Sequence, residues 1–319
     1  MTSERHGIAP ALSLLSDVLE AGLTGPNRAR LRSAGFDVSE TSASDDEILA
    51  AHQSLFGFAV PPYAGVFLNP DGLSGGVAET EAVDLLRGFG LSPDLAGDSR
   101  EHVSGLLKTV SLLVAKASPE VLSSFIVSKC LSWLPALGMA LRREGDSEYA
   151  DLLDVAVVVL LEIVGPSETV PEALGAGVTH GAFATALPDR EPPLADPGTG
   201  VKDLAGYLTS HLFTGIYLGR ASVRRLTRST GSPSGFGGRA LMMGNLLNSA
   251  ASYGDLDAIL DQLRQETQAY RDGWAEWAEL HPALDAWAKL WTERLHRTDG
   301  VLETVGMAVA AELEGADRP

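Results

Sequence analysis

The stretch Glu101-His-Val-Ser-Gly-Leu-Leu-Lys-Thr-Val-Ser-Leu-Leu-Val114 decides the fold class, because its apolar residues recur every three or four positions. That period places them on one face of an α-helix, which packs against a core. Asp98 and Ser99, just upstream, are the candidate N-cap residues of this helix. The apolar positions are Val103, Leu106, Leu107, Val110, Leu113 and Val114.

The flanking sequence continues in the same helical pattern. Ser118-Pro119-Glu120 combines a capping hydroxyl, a first-turn proline and an acid that matches the helix dipole, so it predicts a helix start. Pro135 lies inside the pattern and predicts that this helix kinks or restarts near Trp133. Asp146 predicts the start of a further helix, which Gly165-Pro166 ends.

The C-terminal half repeats the pattern after a change of composition. Residues 166–200 are rich in proline, glycine and acids, which predicts a linker or surface loop. Residues 60–68 contain Pro61-Pro62 and Gly65, so we predict an ordered loop there rather than a strand. We predict an all-α protein with a helical domain over 1–165 and a second helical domain over 201–319. Helices are predicted at about 201–213, 220–229, 238–253, 255–272, 283–297 and 299–314, and a core seam at Trp274, Trp277, Trp287 and Trp291.

Composition narrows the function classes. The formal net charge is −18, and both halves of the chain are acidic, so nucleic acid is not an expected partner. The one cysteine, Cys130, is expected to be a buried thiol, and the histidines lack ligand spacing, so no metal or other cofactor is expected. No secretory signal or membrane span is apparent, which predicts a cytoplasmic protein without stable membrane insertion.

Motifs for catalysis are missing, and the remaining polar patterns suggest binding. The chain has no phosphate-binding P-loop, no nucleophile elbow and no zinc-protease signature, so we do not expect an enzyme. Arg220, Arg224 and Arg228 are spaced one helical turn apart, and Arg239 follows a glycine-rich turn that opens a helix. Arg220, Arg224 and Arg239 are therefore candidate anion-binding residues. Pairing of the α-helical arginines with the protein's own carboxylates is the favoured alternative.

Three segments together resemble the TorD/DmsD/NarJ family of redox-enzyme maturation chaperones. The first is Leu55-Phe56 followed by Pro61-Pro62-Tyr63-Ala-Gly-Val-Phe-Leu68 and Gly75-Gly76, similar to the family's LF…PPYxSVY…G loop. The second is Glu101-His102-Val103, similar to its DH signature. The third is Phe125 to Pro135 with Ser147 to Leu152 after it, similar to F-x-x-x-H-L-x-x-W-x-P and F-Y-x-x-L. The resemblance covers about residues 45–165.

The chain departs from the family pattern at defined positions. The family aspartate is Glu101 here, and the loop serine is Gly65. Lys129 and Cys130 replace the histidine and leucine before the tryptophan, and Leu106 stands where a glutamate is usual. These departures fall on the contacts that would bind a client.

The resemblance implies a cytoplasmic chaperone. Such proteins bind the twin-arginine leader of a molybdopterin-dependent oxidoreductase subunit, and often its body, until the cofactor has been inserted. A receptor for such a leader needs carboxylates beside an apolar groove. The expected client-binding residues are Tyr63, Phe67, Glu101, His102, Phe125, Lys129, Trp133 and Pro135, with Glu101 expected to be exposed.

Two alternatives remain open. One is a helical protein that binds an anionic small molecule or nucleotide through the C-terminal arginines. The other is a weak nucleotide hydrolase, because GTP binding has been proposed within the family. The oligomeric state is open too, and a homodimer is one state that helical chaperones adopt by exchanging elements between protomers.

Overall fold

The computed structural model describes residues 5–75, 77–97, 99–165 and 199–316. Helices are the regular secondary structure of these residues, which form no strand; an isolated antiparallel bridge joins Tyr63 to His102. The predicted all-α class is confirmed. The chain divides into two compact units, Met1–Leu187 with His281–Ala283, and Pro188–Leu280 with Leu284–Pro319. Nearly all of the predicted linker, residues 166–198, lies outside the described residues.

The N-terminal unit is built around helix α6, which packs along α1, with α8 and α9 paired beside them. Two short π-helical segments follow α3 and α7, where the backbone hydrogen bonds skip one extra residue. The elements are α1 (Arg5–Ala21), α2 (Gly25–Ser33), α3 (Asp45–Ser54), a first π segment (Leu55–Ala59), α4 (Ala64–Leu68), α5 (Val77–Gly88), a 3-10 turn (Pro93–Ala96), α6 (Val103–Leu113), α7 (Pro119–Phe125), a second π segment (Ile126–Cys130), α8 (Leu134–Glu144) and α9 (Ser147–Val164).

Local sequence signals account for several of these helix ends. The Ser118 hydroxyl accepts a hydrogen bond from the Val121 amide at the start of α7, and the Asp146 carboxylate accepts one from Tyr149 at the start of α9. Pro135 occupies the first turn of α8, so the chain restarts there, as predicted. These side chains satisfy amides that the helices themselves leave unpaired.

The start of α6 differs from the prediction. His102 is its N-cap, and the imidazole Nδ1 accepts the Ser104 amide at 3.2 Å. Ser99 lies too far upstream to cap a helix that begins at Val103, and Asp98 falls outside the described residues. Residues 60–68 also differ, because they contain α4 and the bridge at Tyr63 rather than a loop alone.

The apolar faces of the N-terminal unit meet in one core. The six α6 positions named from the sequence are all buried, together with Leu12, Leu15 and Leu19 of α1. Cys130 is buried and free, and burial raises its pKa. At the edge, the Arg28 guanidinium makes a two-pronged contact with the Glu148 carboxylate at 2.5 and 2.6 Å, which ties α2 to α9.

The C-terminal unit packs α10 against α13, with α12 and α14 beside α13. The predicted seam is buried, and Trp274 stacks on Trp291 with ring centroids 6.2 Å apart. The patterns at 283–297 and 299–314 form one continuous helix, while that at 201–213 forms two. The helices are α10 (Val201–Leu208), α11 (His211–Thr214), α12 (Arg220–Thr230), α13 (Arg239–Tyr253), α14 (Leu256–Leu280) and α15 (Pro282–Ala316).

Within the part of the chain that the structure describes, one stretch, residues 119–144, is long and apolar enough to cross a membrane. The protein itself buries 89% of its most apolar window. A core helix of a soluble protein meets the same criteria, so this stretch is consistent with a soluble protein.

Candidate functional site

Glu101, the first residue of the Glu-His-Val segment, is buried rather than exposed, with 2% of its surface accessible. Its carboxylate accepts hydrogen bonds from the Gly65 amide at 3.2 Å and from the Gly75 amide. Burial raises the pKa of Glu101, the two amide hydrogen bonds oppose that rise, and the nearby Glu79 charge adds to it. The expectation that Glu101 is exposed is therefore wrong.

A second carboxylate, Glu79 of α5, holds the segment that precedes α6. It accepts the backbone amides of Arg100 and Glu101 at 2.6 and 2.9 Å, and the Ser99 hydroxyl at 3.2 Å. Glu79 thus fixes residues 99–101, and Glu101 in turn fixes the two ends of the loop 65–75. No local pattern predicts this arrangement, because Glu79 lies about twenty residues from its partners.

Close packing requires glycine at positions 65 and 105. A Cβ atom on Gly65 would lie 2.4 Å from the Leu73 carbonyl oxygen and 2.6 Å from the Asn69 amide nitrogen. A Cβ atom on Gly105 would lie 2.0 Å from the Ser99 carbonyl oxygen. The Gly65 departure from the family's serine therefore follows from how tightly the loop folds over α4.

Four apolar residues predicted to line a groove belong to the core instead. Phe67, Phe125 and Trp133 are fully buried, and the Phe67 and Trp133 rings pack 5.5 Å apart. Pro135 is buried within the first turn of α8. In this structure the surrounding core covers all four side chains.

Lys129, in the second π segment, keeps only a small exposed fraction. Its ammonium nitrogen lies 2.5 Å from a carboxylate oxygen of Glu81 in α5. The Trp133 indole nitrogen donates to the Lys129 carbonyl oxygen at 2.8 Å, so this residue joins a helix end to the core. Its charge is matched within the protein.

Tyr63 and His102 retain partial exposure and lie together. Their rings meet edge to face with centroids 5.0 Å apart, across the one β-bridge. Burial, assisted by the His52 charge, lowers the pKa of His102 to about 4, so its imidazole is neutral at physiological pH. The Nδ1 atom that accepts the Ser104 amide is then unprotonated.

A second group of rings connects the other family-like segments. His52 lies 4.9 Å from Phe56 and 5.6 Å from Tyr149, and Phe56 and Tyr149 are 5.0 Å apart. The Tyr149 hydroxyl accepts the Leu23 amide at 2.9 Å, and the His52 Nε2 atom lies 3.1 Å from the Leu19 carbonyl oxygen. Segments far apart in sequence thus meet at the end of α1.

The exposed side of α3 and the first π segment is a surface that the sequence interpretation missed. Asp46, Leu49, Gln53 and Phe58 are exposed along these two elements, and we call them the α3 face. Leu49 is 42% exposed and Phe58 is 62% exposed. The available signal was Phe58 itself, two residues after the phenylalanine that matches the family motif.

In the C-terminal unit, Arg220, Arg224 and Arg228 form an exposed line along α12, which we call the arginine row. No carboxylate of the described residues lies within 4.0 Å of their guanidinium groups. The favoured alternative was that these arginines pair with the protein's own carboxylates. The described residues contain no such pair. Arg239, at the start of α13, has its guanidinium 5.1 Å from the centre of the Tyr217 ring.

Among the described residues, no group of three or more His, Cys, Asp or Glu side chains is close enough to hold a metal ion. No protein-family model, curated protein or solved structure matches the chain.

Proposed function

We propose that this protein is a cytoplasmic, non-catalytic chaperone that binds the twin-arginine leader of a molybdopterin-dependent oxidoreductase subunit until its cofactor is inserted. The observation that carries the proposal is the α3 face, which has a carboxylate at one end and an exposed phenylalanine at the other. The order of the family-like segments along residues 45–165 supports it as well.

The charged end of the α3 face lies in the first turn of α3. Asp46 is exposed and has no hydrogen-bond or ion-pair partner among the described residues, so its carboxylate is available to a guanidinium group. Asp45 beside it uses one oxygen to accept the Gly25 amide at 2.7 Å, and Glu47 completes a capping box with Ser44. Asp46 is therefore the carboxylate to which we assign an arginine of the leader.

The apolar end lies in the first π segment. The extra residue per turn interrupts the α-helical register, and such segments are frequent at functional sites. Here Phe56 turns into the ring group with His52 and Tyr149, while Phe58 turns outward. An exposed phenylalanine held on an ordered helical turn can bury apolar surface of a peptide without a large loss of side-chain entropy.

In a twin-arginine leader, two arginines precede an apolar stretch. The α3 face offers a carboxylate, Asp46, followed by the apolar Leu49 and Phe58, which is the complementary order. From Asp46 to Phe58 is about 18 Å at the rise of an α-helix. An extended peptide covers that distance in about five or six residues. The arginines would thus lie at Asp46 while the following apolar residues reach Leu49 and Phe58.

Tyr63, His102 and Lys129 stay in the proposal as secondary contacts, because each retains partial exposure. At neutral pH the His102 imidazole is uncharged, so it would contact the peptide as an aromatic surface or a hydrogen-bond donor through Nε2. The buried Glu101, Phe67, Phe125, Trp133 and Pro135 would act indirectly, by holding these residues in place.

Titration calorimetry of the full chain with a synthetic twin-arginine leader tests the proposal. Asp46→Lys and Phe58→Ser should each weaken binding about tenfold, which corresponds to the loss of one charged or apolar contact. Replacing both leader arginines by glutamine should abolish the difference between wild type and Asp46→Lys. An affinity that is indifferent to the leader's arginines would contradict the proposal.

Matched controls come from the C-terminal unit. Asp257→Lys makes the same charge change in the first turn of another helix, and Phe236→Ser removes another exposed phenylalanine. Both should bind the leader within about twofold of wild type, since both positions are exposed but lie outside the α3 face. Weakening as large as that of Asp46→Lys or Phe58→Ser would show a general effect of charge or hydrophobicity.

A second candidate function is binding of an anionic small molecule or nucleotide through Arg220, Arg224 and Arg239. The observation in its favour is that no described carboxylate neutralises Arg220 or Arg224. The Arg239 guanidinium lies over the Tyr217 ring, 5.1 Å from its centre.

A further inference from the structure

The arginine row presents three guanidinium groups on one side of α12. Arg220, Arg224 and Arg228 are all exposed, while Ser222, Val223 and Leu226 on the opposite side are buried. At the rise of an α-helix, the row is about 12 Å long with about 6 Å between successive arginines.

Other exposed arginines of this chain are paired. Arg30 lies 2.7 Å from Asp17, Arg32 lies 3.6 Å from Glu40, and Arg87 lies 3.8 Å from Asp84. The chain has 42 acidic residues against 24 lysines and arginines, so an exposed arginine meets a carboxylate easily. Against that background, three neighbouring arginines without a described carboxylate partner form a distinct surface.

The arginine row also lowers the stability of α12. Like charges one turn apart repel each other, and Arg220 occupies the first position of α12, where the helix dipole is already positive. The N-cap is Gly219, which offers no side chain to accept the first amides. Nothing within the described fold offsets this repulsion, whereas an anionic partner would.

The layout of the row selects among anionic partners. A small anion needs guanidinium groups that converge, and these lie in a line along a convex helix. A nucleic acid would continue past the row onto a protein of net charge −18, where it is repelled. Carboxylates spaced one turn apart on another helix repeat at the same interval as the row, and each can accept two hydrogen bonds from one guanidinium.

The segment between α12 and α13 adds apolar surface. Ser232 donates to Asp255, just after α13, at 2.8 Å, while Arg239 at the start of α13 lies over Tyr217, just before α12. The segment therefore runs back along the helices towards the beginning of α12. It carries Phe236, which is 88% exposed. An exposed apolar side chain in the segment that follows the arginine row suits a partner helix that is both acidic and amphipathic.

We propose that the arginine row docks an acidic amphipathic helix of a partner protein, with carboxylates of that helix at successive turns. This surface is separate from the α3 face and needs no twin-arginine leader. The two proposals therefore stand or fall independently.

Fluorescence anisotropy with the full chain tests the docking. The probe is a labelled peptide of about 20 residues with glutamates at i, i+4 and i+8 and leucines beside them, long enough to form a helix on binding. A second peptide of identical composition scatters the glutamates around the helix. We expect the aligned peptide to bind at least about fivefold more tightly and to weaken as salt is added.

The decisive variant is Arg220→Gln/Arg224→Gln/Arg228→Gln, which keeps helix propensity and removes three charges. Its control, Arg30→Gln/Arg32→Gln/Arg87→Gln, removes the same charge from arginines that are paired. We expect the first to weaken peptide binding at least about tenfold and the second less than about twofold. Thermal unfolding of both variants shows that each is folded.

Several results would overturn the proposal. Equal binding of the aligned and scattered peptides, equal weakening by the two triple variants, or no binding of either peptide would each do so. Displacement of the peptide by equimolar pyrophosphate would assign the row to small anions. Tighter binding of a single-stranded oligonucleotide through the same arginines would assign it to nucleic acid.

Discussion

Glu101 and the arginine row differ in where their charges lie: the Glu101 carboxylate is buried, and the three guanidinium groups are exposed. Glu101 belongs to the segment that most resembles a known family, yet it is buried and accepts amides from both ends of one loop. The arginine row belongs to a region without such a resemblance, yet its charges are exposed and lack a described carboxylate partner. The first carboxylate stabilises the protein's own fold, whereas the arginines are available to another molecule.

This difference shows that a residue within a family-like motif can serve the fold. Such a match does not tell which side chains stay exposed to solvent. Phe67 and Trp133 follow the same rule as Glu101, since both match the family pattern and both are buried. In the proposed function, the client contacts are made instead by exposed side chains beside the motifs, such as Phe58. The predictions below test that division of roles, beginning with the largest effect on stability.

The largest effect is expected for Glu101→Lys. The change leaves two backbone amides without their acceptor and buries a cation, so the free energy of unfolding should fall by about 3–5 kcal/mol. Urea unfolding measures it. Glu120→Lys, at an exposed first-turn position of α7, reverses a solvated charge near a helix N-terminus and should lower the free energy of unfolding far less. Similar losses for the two variants would mean that Glu101 is not held as described.

The next effect is the pH dependence that comes from His102. Its folded pKa of about 4 lies below the ordinary value of 6.5, so the unfolded chain binds the proton more readily. Its contribution to stability is therefore full above pH 6.5 and is lost as the pH falls towards 4, by at most about 3 kcal/mol.

Urea unfolding between pH 7 and 4 measures this loss. His102→Asn keeps an N-cap acceptor but has no proton to bind, so its stability should fall less steeply than that of the wild type over this range. The difference between the two proteins removes the contribution of Glu101, which is common to both. Parallel pH profiles would contradict the buried, neutral state of His102.

A smaller effect is expected at Gly65. Gly65→Ser restores the residue of the family pattern but places a Cβ atom 2.4 Å from the Leu73 carbonyl oxygen, so it should destabilise the protein by about 1–3 kcal/mol. Gly57→Ala is the control, because the nearest atom to its added Cβ is 3.8 Å away and it lies on an exposed helical turn. If Gly65→Ser lowers the free energy of unfolding no more than Gly57→Ala does, the loop is not closed over α4.

The smallest effect on stability is expected for the arginine row. Arg220→Gln/Arg224→Gln/Arg228→Gln breaks no ion pair among the described residues and relieves repulsion along α12, so the free energy of unfolding should change by no more than about 0.5 kcal/mol. A clear loss in thermal or urea unfolding would mean that these arginines stabilise their own fold, and the contrast with Glu101 would disappear.

The helices could be predicted from the sequence because their causes are local. Apolar periodicity located α6, the side chains of Ser118 and Asp146 marked the starts of α7 and α9, and Pro135 marked the restart at α8. Each of these signals lies within a turn or two of the backbone that it affects. For the same reason, the buried tryptophan seam followed from spacing within α14 and α15.

The functional surfaces could not be predicted in the same way, because they depend on contacts distant in sequence. Glu101 is buried by a loop that starts 36 residues earlier, and no local pattern announces that closure. Whether an arginine has a carboxylate partner depends on neighbouring helices, as Arg220 and Arg30 illustrate. The outward turn of Phe58 depends on a π segment, for which the sequence offers no simple signal.

Hydrogen–deuterium exchange of the full chain, with and without a saturating twin-arginine leader, tests the central claim most directly. We predict slower exchange of backbone amides in α3 and the first π segment, residues 45–59, because a peptide along the α3 face shields and orders them. The glutamine-substituted leader at the same concentration should give little protection. Unchanged exchange over residues 45–59 at saturation, or protection confined to the C-terminal unit, would contradict the account.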